Sequence, residues 1–138
     1  MNPIPKIRVL IADDHIAIVE QVRGMLCADY DIVGAVHNGR DAILAVQRLD
    51  PDLLVIDISM PIMDGLEAVS NLRSTHRRTR VVFLTVHKDQ DFMEAAFSVG
   101  AFGYVAKADV VDDLVPAIRE AMQGRRFVSR SIRPSNQV

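Results

Sequence analysis

Leu53-Leu54-Val55-Ile56-Asp57-Ile58-Ser59-Met60-Pro61 places a carboxylate where an apolar strand ends. Four consecutive apolar residues after Asp50-Pro51-Asp52 have the pattern of a strand buried on both faces, as in a parallel sheet covered by helices. Such a strand delivers its last residue to the carboxyl edge of the sheet, where open α/β sheets bind ligands. Pro61 then stops the strand, and Met63-Asp64-Gly65 turns the chain toward a helix. Asp is also a common turn-former at strand ends, so the meaning of Asp57 depends on what the other strands bring to the same edge.

On the N-terminal side, Lys6-Ile7-Arg8-Val9-Leu10-Ile11-Ala12 reads as a strand running into Asp13-Asp14. Ile18, Val19, Val22, Met25 and Leu26 then fall at three- and four-residue spacings that give a helix one apolar face. A short strand near 30–36 leads to Asn38-Gly39, and Asn38 with Asp41 marks the start of a second helix. Ala42, Ile43, Ala45, Val46 and Leu49 form its buried face before Asp50-Pro51 ends it.

On the C-terminal side, Leu66, Val69 and Leu72 belong to a third helix, followed by the basic run 73–80, read as a solvated loop. Val81-Val82-Phe83-Leu84-Thr85 is a second fully apolar strand, ending in a hydroxyl. Asp91-Phe92-Met93-Glu94 has capping-box spacing and predicts a helix start, with Gly100 as its stop. Ala101 to Lys107 is a fifth strand, ending in an amine. The last helix follows Asp109 and stops at Gly124; its Pro116 is expected within the first turn, or else at a kink. Five strand–helix units with short connections predict a three-layer α/β sandwich around a parallel sheet, with right-handed crossovers.

The 138 residues fit one domain, and 49% apolar with 25% charged residues is ordinary for a globular chain. No apolar run reaches the roughly 18 residues that span a bilayer, and residues 1–6 lack the apolar core of a signal peptide. The expectation is therefore a cytoplasmic protein with no membrane partner. The single cysteine, Cys27, is read as a small buried hydrophobe. A net charge of −2 gives no global attraction to nucleic acid.

With the strands parallel, one edge receives Asp13, Asp14, Asp57, Thr85 and Lys107. Clustered carboxylates repel, which raises their pKa values unless a cation holds them ionised. All-oxygen ligation points to Mg²⁺, which bridges carboxylate to phosphate, whereas Zn²⁺ favours His or Cys. None of the four histidines has a paired metal-ligand spacing, and His15 is read as a helix-start residue. A metal-bound carboxylate facing a hydroxyl and an ammonium suits phosphoryl transfer, with Asp57 as nucleophile.

Ile11-Ala12-Asp13-Asp14-His15, Ile56 to Gly65, Phe83-Leu84-Thr85 and Gly100 to Lys107 together resemble the receiver domain of response regulators, of the NarL/FixJ type, from about Lys6 to Gly124. The resemblance implies a flavodoxin-like (βα)5 fold of strand order 2-1-3-4-5. It divides the chain into a receiver domain, 1–124, and a basic C-terminal tail or linker stub, 125–138. It implies that a sensor histidine kinase phosphorylates Asp57, the domain catalysing its own phosphotransfer and dephosphorylation without being an enzyme on other substrates. Asp14 and Asp57 would bind Mg²⁺ directly, Asp13 largely through water, and Ser59 through its carbonyl. Thr85 and Lys107 would contact the phosphoryl oxygens, and Tyr104 would change rotamer as Thr85 moves. Two positions depart from the family pattern. Ala108 follows Lys107 where many receivers have proline, which leaves the peptide's cis or trans state open. Val86 follows Thr85 where alanine, serine or glycine is usual, and with Ser59 and His87 it flanks access to Asp57.

Other readings share parts of this pattern. A flavin mononucleotide binder would want small backbone donors after the first strand, where Asp13 and Asp14 stand. A haloacid-dehalogenase-like phosphatase carries a second acid two residues after its nucleophile, where this chain has Ser59. For output, the resemblance implies control of transcription through a DNA-binding domain absent from these residues; the alternative is a stand-alone receiver acting by protein contacts, and a homodimer is compatible with both.

Overall fold

Alternate residues of each central strand fall into two separate apolar clusters, one on each side of a single sheet. Leu10, Leu54, Ile56, Phe83 and Tyr104 point to one side, and Val9, Ile11, Leu53, Val55, Val82, Leu84 and Val105 to the other. This is the period-two geometry of a strand, and it explains why the sequence shows unbroken apolar runs: both faces are covered. The computed structural model describes residues 4–132.

The elements are β1 (Arg8–Ala12), α1 (Ile16–Leu26), β2 (Asp31–Val36), α2 (Gly39–Leu49), β3 (Leu53–Ile56), α3 (Gly65–Leu72), β4 (Arg80–Thr85), α4 (Gln90–Ser98), β5 (Gly103–Ala106), a 3-10 turn (Lys107–Asp109), α5 (Val110–Met122) and β6 (Phe127–Val128). The sheet order is β2-β1-β3-β4-β5-β6, with every pairing parallel. The expected 2-1-3-4-5 order is present, and a sixth strand is added outside β5. The apolar faces of α2, α3 and α4 contribute to one cluster, and those of α1 and α5 to the other. Fully burying one such Leu, Ile or Phe contributes roughly 1.5–3 kcal/mol.

Local chemistry sets the helix starts. Asn38 caps α2 by accepting from the Asp41 N–H at 2.8 Å, and Asp64 caps α3 by accepting from Glu67 at 2.8 Å. The capping box expected at Asp91 is not formed. Helix α4 starts two residues earlier, at Gln90, with Asp89 at the N-cap, so Asp91 lies inside the first turn. Pro116 is not in the first turn either: it is the seventh residue of α5, where its missing N–H removes the helical donor for the Asp112 carbonyl. Cys27, expected to be buried, is exposed at the end of α1; the apolar face of that helix is satisfied by Val19, Val22 and Leu26.

In the basic run, Arg73 donates to the Ser98 carbonyl, Arg78 pairs with Asp50, and Arg80 lies over the Phe102 ring. Of the stretch read as a tail, Phe127 and Val128 form β6, while Ser129 and Ile132 are buried. Residues 133–138 of that stretch, and 1–3 of the segment read as lacking a signal peptide, lie outside the described residues. No described helix is long and apolar enough to cross a membrane, and every described peptide bond is trans, including that after Lys107.

Candidate functional site

Strands β1 and β3 lie side by side, so the residues that follow them emerge together at the carboxyl edge. The Asp57 N–H donates to the Ala12 carbonyl at 2.9 Å and the Asp13 N–H to Val36 at 3.0 Å, extending the ladder to the two acids. Asp13 and Asp57 are each 2% exposed, while Asp14 faces solvent. Two glycines permit the tight packing of the loop after β3. A methyl group on Gly65 would overlap the Asp57 carbonyl oxygen, and one on Gly39 that of Met63. Both are therefore sites of close backbone approach.

Lys107 supplies the cation. From the 3-10 turn after β5, its ammonium lies 3.0 Å from Asp57 Oδ2 and 2.9 Å from Asp13 Oδ2. The contact with Asp57 is an aligned hydrogen bond, whereas the buried Asp13 Oδ2 has no hydrogen-bond partner despite the short ion pair. The other Asp57 oxygen accepts the Ile58 N–H at 2.7 Å, which fixes the plane of the carboxyl group. Burial pushes the Asp57 pKa up, and Asp13 adds to this against the opposing effects of Lys107 and Ile58. For Lys107, burial works downward, but the carboxylates of Asp13 and Asp57 outweigh it and hold the pKa above its ordinary value.

The ligand atoms of Asp13, Asp14, His15 and Asp57 all lie within 4.8 Å of one another. Three carboxylates in that space, one with a buried oxygen that takes no hydrogen bond, fit a hard divalent cation such as Mg²⁺. His15 is at the N-cap of α1, as expected of a helix-start residue, but its ring makes no cap bond. Instead Nδ1 turns toward the acids, 3.2 Å from Asp13 and 3.4 Å from Asp14, and 3.1 Å from Lys107 Nζ. Sequence reading assigned His15 no place at the cluster; its signal was only its position directly after two acids at a strand end.

Thr85, Val86, His87 and Tyr104 form a second group beside the acids. Thr85 is fully buried and its hydroxyl accepts the His87 N–H at 3.2 Å. Tyr104 is also fully buried, and its hydroxyl donates to the His87 carbonyl at 2.9 Å. Burial, with Asp89 and Asp57 nearby, pushes the phenol pKa up, so the hydroxyl stays a donor. The His87 ring stacks on Phe92, with centroids 4.2 Å apart, and its Nε2 is 2.6 Å from the Ser59 hydroxyl. Val86 is 62% exposed. The structure thus brings Asp13, Asp14, Asp57 and Lys107 together directly, while Thr85 and Tyr104 meet at His87.

Residues 9–119 match the response regulator receiver domain. The chain is 33% identical over 125 residues to the transcriptional regulatory protein YvfU of Bacillus subtilis, covering 89% of this chain and 62% of that protein. It is 32% identical over 128 residues to the nitrate/nitrite response regulator NarL of Escherichia coli, covering 91% and 59%. A crystal structure of a LuxR-family two-component response regulator from Aurantimonas superposes with a TM-score of 0.87 at 30% identity, covering 92% of each chain. The chain therefore spans about three fifths of the length of these two curated relatives. With a matching sheet order, an acid cluster at the expected edge and a family match over most of its length, the chain belongs to the response regulator receiver domain family of two-component signalling.

Proposed function

We propose that Asp57 accepts a phosphoryl group from a sensor histidine kinase in the presence of Mg²⁺, and that Thr85 and Tyr104 relay its arrival to an output surface. The observation that carries this reading is the buried Asp57 carboxylate, held by Ile58 and Lys107 within a cluster of acids. Burial makes Asp57 a stronger base than a solvated aspartate, hence a better nucleophile when ionised. A carboxylate oxygen attacks phosphorus, an O–P bond forms and the N–P bond of the phosphohistidine breaks. The leaving imidazole takes its proton from solvent.

Asp14 and Asp57 directly, Asp13 largely through water and Ser59 through its carbonyl would hold Mg²⁺, which would neutralise charge on the transferring group. Lys107, already 3.0 Å from Asp57, follows the negative charge onto the phosphoryl oxygens. Thr85 exchanges its bond from the His87 N–H for one to a phosphoryl oxygen, releasing the loop that Tyr104 also holds. The same groups support return of the phosphoryl group to water. YvfU is a transcriptional regulatory protein, and the output proposed for a longer protein carrying this chain is control of transcription through a DNA-binding domain; a cytoplasmic location and a homodimer accord with this reading. Intact-mass spectrometry after incubation with acetyl phosphate and Mg²⁺ tests it. The parent should gain one phosphoryl group and Asp57→Asn none; equal labelling of the two would overturn the assignment.

A further inference from the structure

Lys107 has a long flexible side chain, yet its ammonium must meet two buried carboxylates at about 3 Å each. Its backbone frame is held from an unexpected direction. After Gly124 closes α5 with a left-handed turn, φ 74°, the chain returns along β5. Phe127 and Val128 pair with Gly103 and Tyr104, and the Ser129 N–H donates to the Tyr104 carbonyl at 3.0 Å. The last N–H of β5, that of Ala106, then has no strand carbonyl to meet. The Ser129 hydroxyl accepts it instead, at 3.1 Å, with both residues fully buried.

Ala106 immediately precedes Lys107, and the three-residue turn 107–109 ends at Asp109. The Asp109 carboxylate accepts from the Ser131 hydroxyl at 2.5 Å. The turn that carries Lys107 is therefore gripped at its start by Ser129 and at its end by Ser131. The strap bearing both serines is itself anchored: Ile132 is buried in the same cluster as Tyr104 and Ala106, and its carbonyl accepts from Gln90 Nε2 at 2.7 Å.

We infer that Ser129 is a positioning residue for Lys107, holding the Ala106–Lys107 backbone so that the ammonium is aligned for phosphoryl transfer to Asp57. This role rests on the phosphoacceptor reading above. A buried N–H left without its acceptor is costly, and the backbone relieves that cost by shifting the residue that sets the Lys107 side chain. Misplacement of the order of 1 Å at a reacting group is enough to slow chemistry strongly.

The test measures acetyl phosphate labelling of the 138-residue chain at saturating donor, with Mg²⁺ affinity determined separately by calorimetry. Ser129→Ala should slow labelling about tenfold at saturating Mg²⁺, as expected for a lost oriented contact, so that a changed Mg²⁺ affinity is not the cause. The Ala106 amide should exchange faster by NMR. In a Lys107→Ala background, Ser129→Ala should cost nothing more, since its effect passes through that ammonium. Ser131→Ala, at an exposed position, should slow labelling in the same direction and guards against misfolding of Ser129→Ala. A labelled parent with both serine variants at the parent rate, or full additivity with Lys107→Ala, overturns the role alone. A parent that takes no label overturns the phosphoacceptor reading and the role with it.

Discussion

His87 Nε2 lies 2.6 Å from the Ser59 hydroxyl and so ties the loop after β4 to the loop after β3, two residues beyond Asp57. The same residue is held by its backbone on the other side, through Thr85 at its N–H and Tyr104 at its carbonyl. For the switch proposed above, these three contacts on one residue are the ones that a second arrangement of the loop after β4 has to break. A ligand shifts such a switch only by its differential affinity for the two states.

Thr85→Ala should therefore uncouple phosphorylation from its readout. Removing the hydroxyl takes away both the present acceptor for His87 and the group that would meet the phosphoryl oxygens. Labelling should continue, while phosphorylation-dependent NMR shifts around Tyr104, β5 and α5 shrink several-fold. Shifts of full size in the labelled variant would refute the route through Thr85.

Asp57→Asn should stabilise the metal-free protein, with a sign set by the raised pKa. The folded state holds the Asp57 proton more tightly than the unfolded chain, whose value is near 3.8. Between that value and the folded pKa, the folded state binds more protons, so the contribution of Asp57 to stability falls as pH rises. The Tm advantage of Asp57→Asn should be small below about pH 4, widen as pH climbs and then level off. Added Mg²⁺ should raise the Tm of the parent more than that of the variant, because binding to the folded state stabilises it by mass action. A constant difference from pH 3 to 8 would contradict the burial argument.

Ile62 has φ 72°, a left-handed conformation that a β-branched side chain rarely adopts, and its side chain is 78% exposed. The Met63 N–H donates to the Pro61 carbonyl at 2.7 Å, closing a three-residue turn around it. Relieving this conformation is worth about 1–2 kcal/mol, with little apolar burial lost in exchange. Ile62→Asn should accordingly raise Tm by several degrees in thermal denaturation. An unchanged or lower Tm would mean that the apolar side chain makes a contact worth as much as the strain.

Gly65→Ala should act in the opposite direction. The added methyl meets the backbone of Asp57 rather than a movable side chain, so the start of α3 or the loop bearing Asp57 must shift. A loss of roughly 3 kcal/mol is expected in urea unfolding, together with weaker labelling. Parent-like stability would show that α3 can slide away from β3 at little cost.

The apolar runs were legible in the sequence because strands covered on both faces need no alternation, and Asp13, Asp14, Asp57 and Lys107 were legible because parallel strands deliver their ends to one edge. What escaped notice was set by contacts remote in sequence. Two residues, Phe127 and Val128, are too short a run to announce a strand, and Ser129 looks like any serine in an arginine-rich stretch until β5 supplies an N–H for its hydroxyl. Capping-box spacing at Asp91 predicts a later start for α4, whereas Asp89 holds the N-cap by backbone conformation, with no side-chain cap bond for a sequence pattern to reveal. His87 is named in the sequence only as flanking access to Asp57; its contacts with Ser59, Phe92 and Tyr104 come from three other parts of the fold.

Two features are candidates for controlling access to Asp57, and single substitutions separate them. Val86 follows the buried Thr85 and projects into solvent, 62% exposed, with a β-branched side chain that has little freedom at χ1. Next to it in sequence, His87 joins the loop after β4 to Ser59 in the loop after β3. If Val86 crowds the approach, Val86→Ala should accelerate both labelling by acetyl phosphate and loss of the label, by a few-fold each, because donor and water use the same path and must reach within about 3–3.5 Å of the reacting atoms. Truncating an exposed side chain should leave the fold intact, which circular dichroism checks. Ser59→Ala removes the tether while leaving Val86 in place, and its backbone carbonyl remains able to serve a metal. Acceleration by Val86→Ala alone assigns control to the side chain after Thr85. Acceleration by Ser59→Ala alone, with Val86→Ala labelling and decaying at the parent rates, assigns it to the Ser59–His87 bond and rejects crowding by Val86.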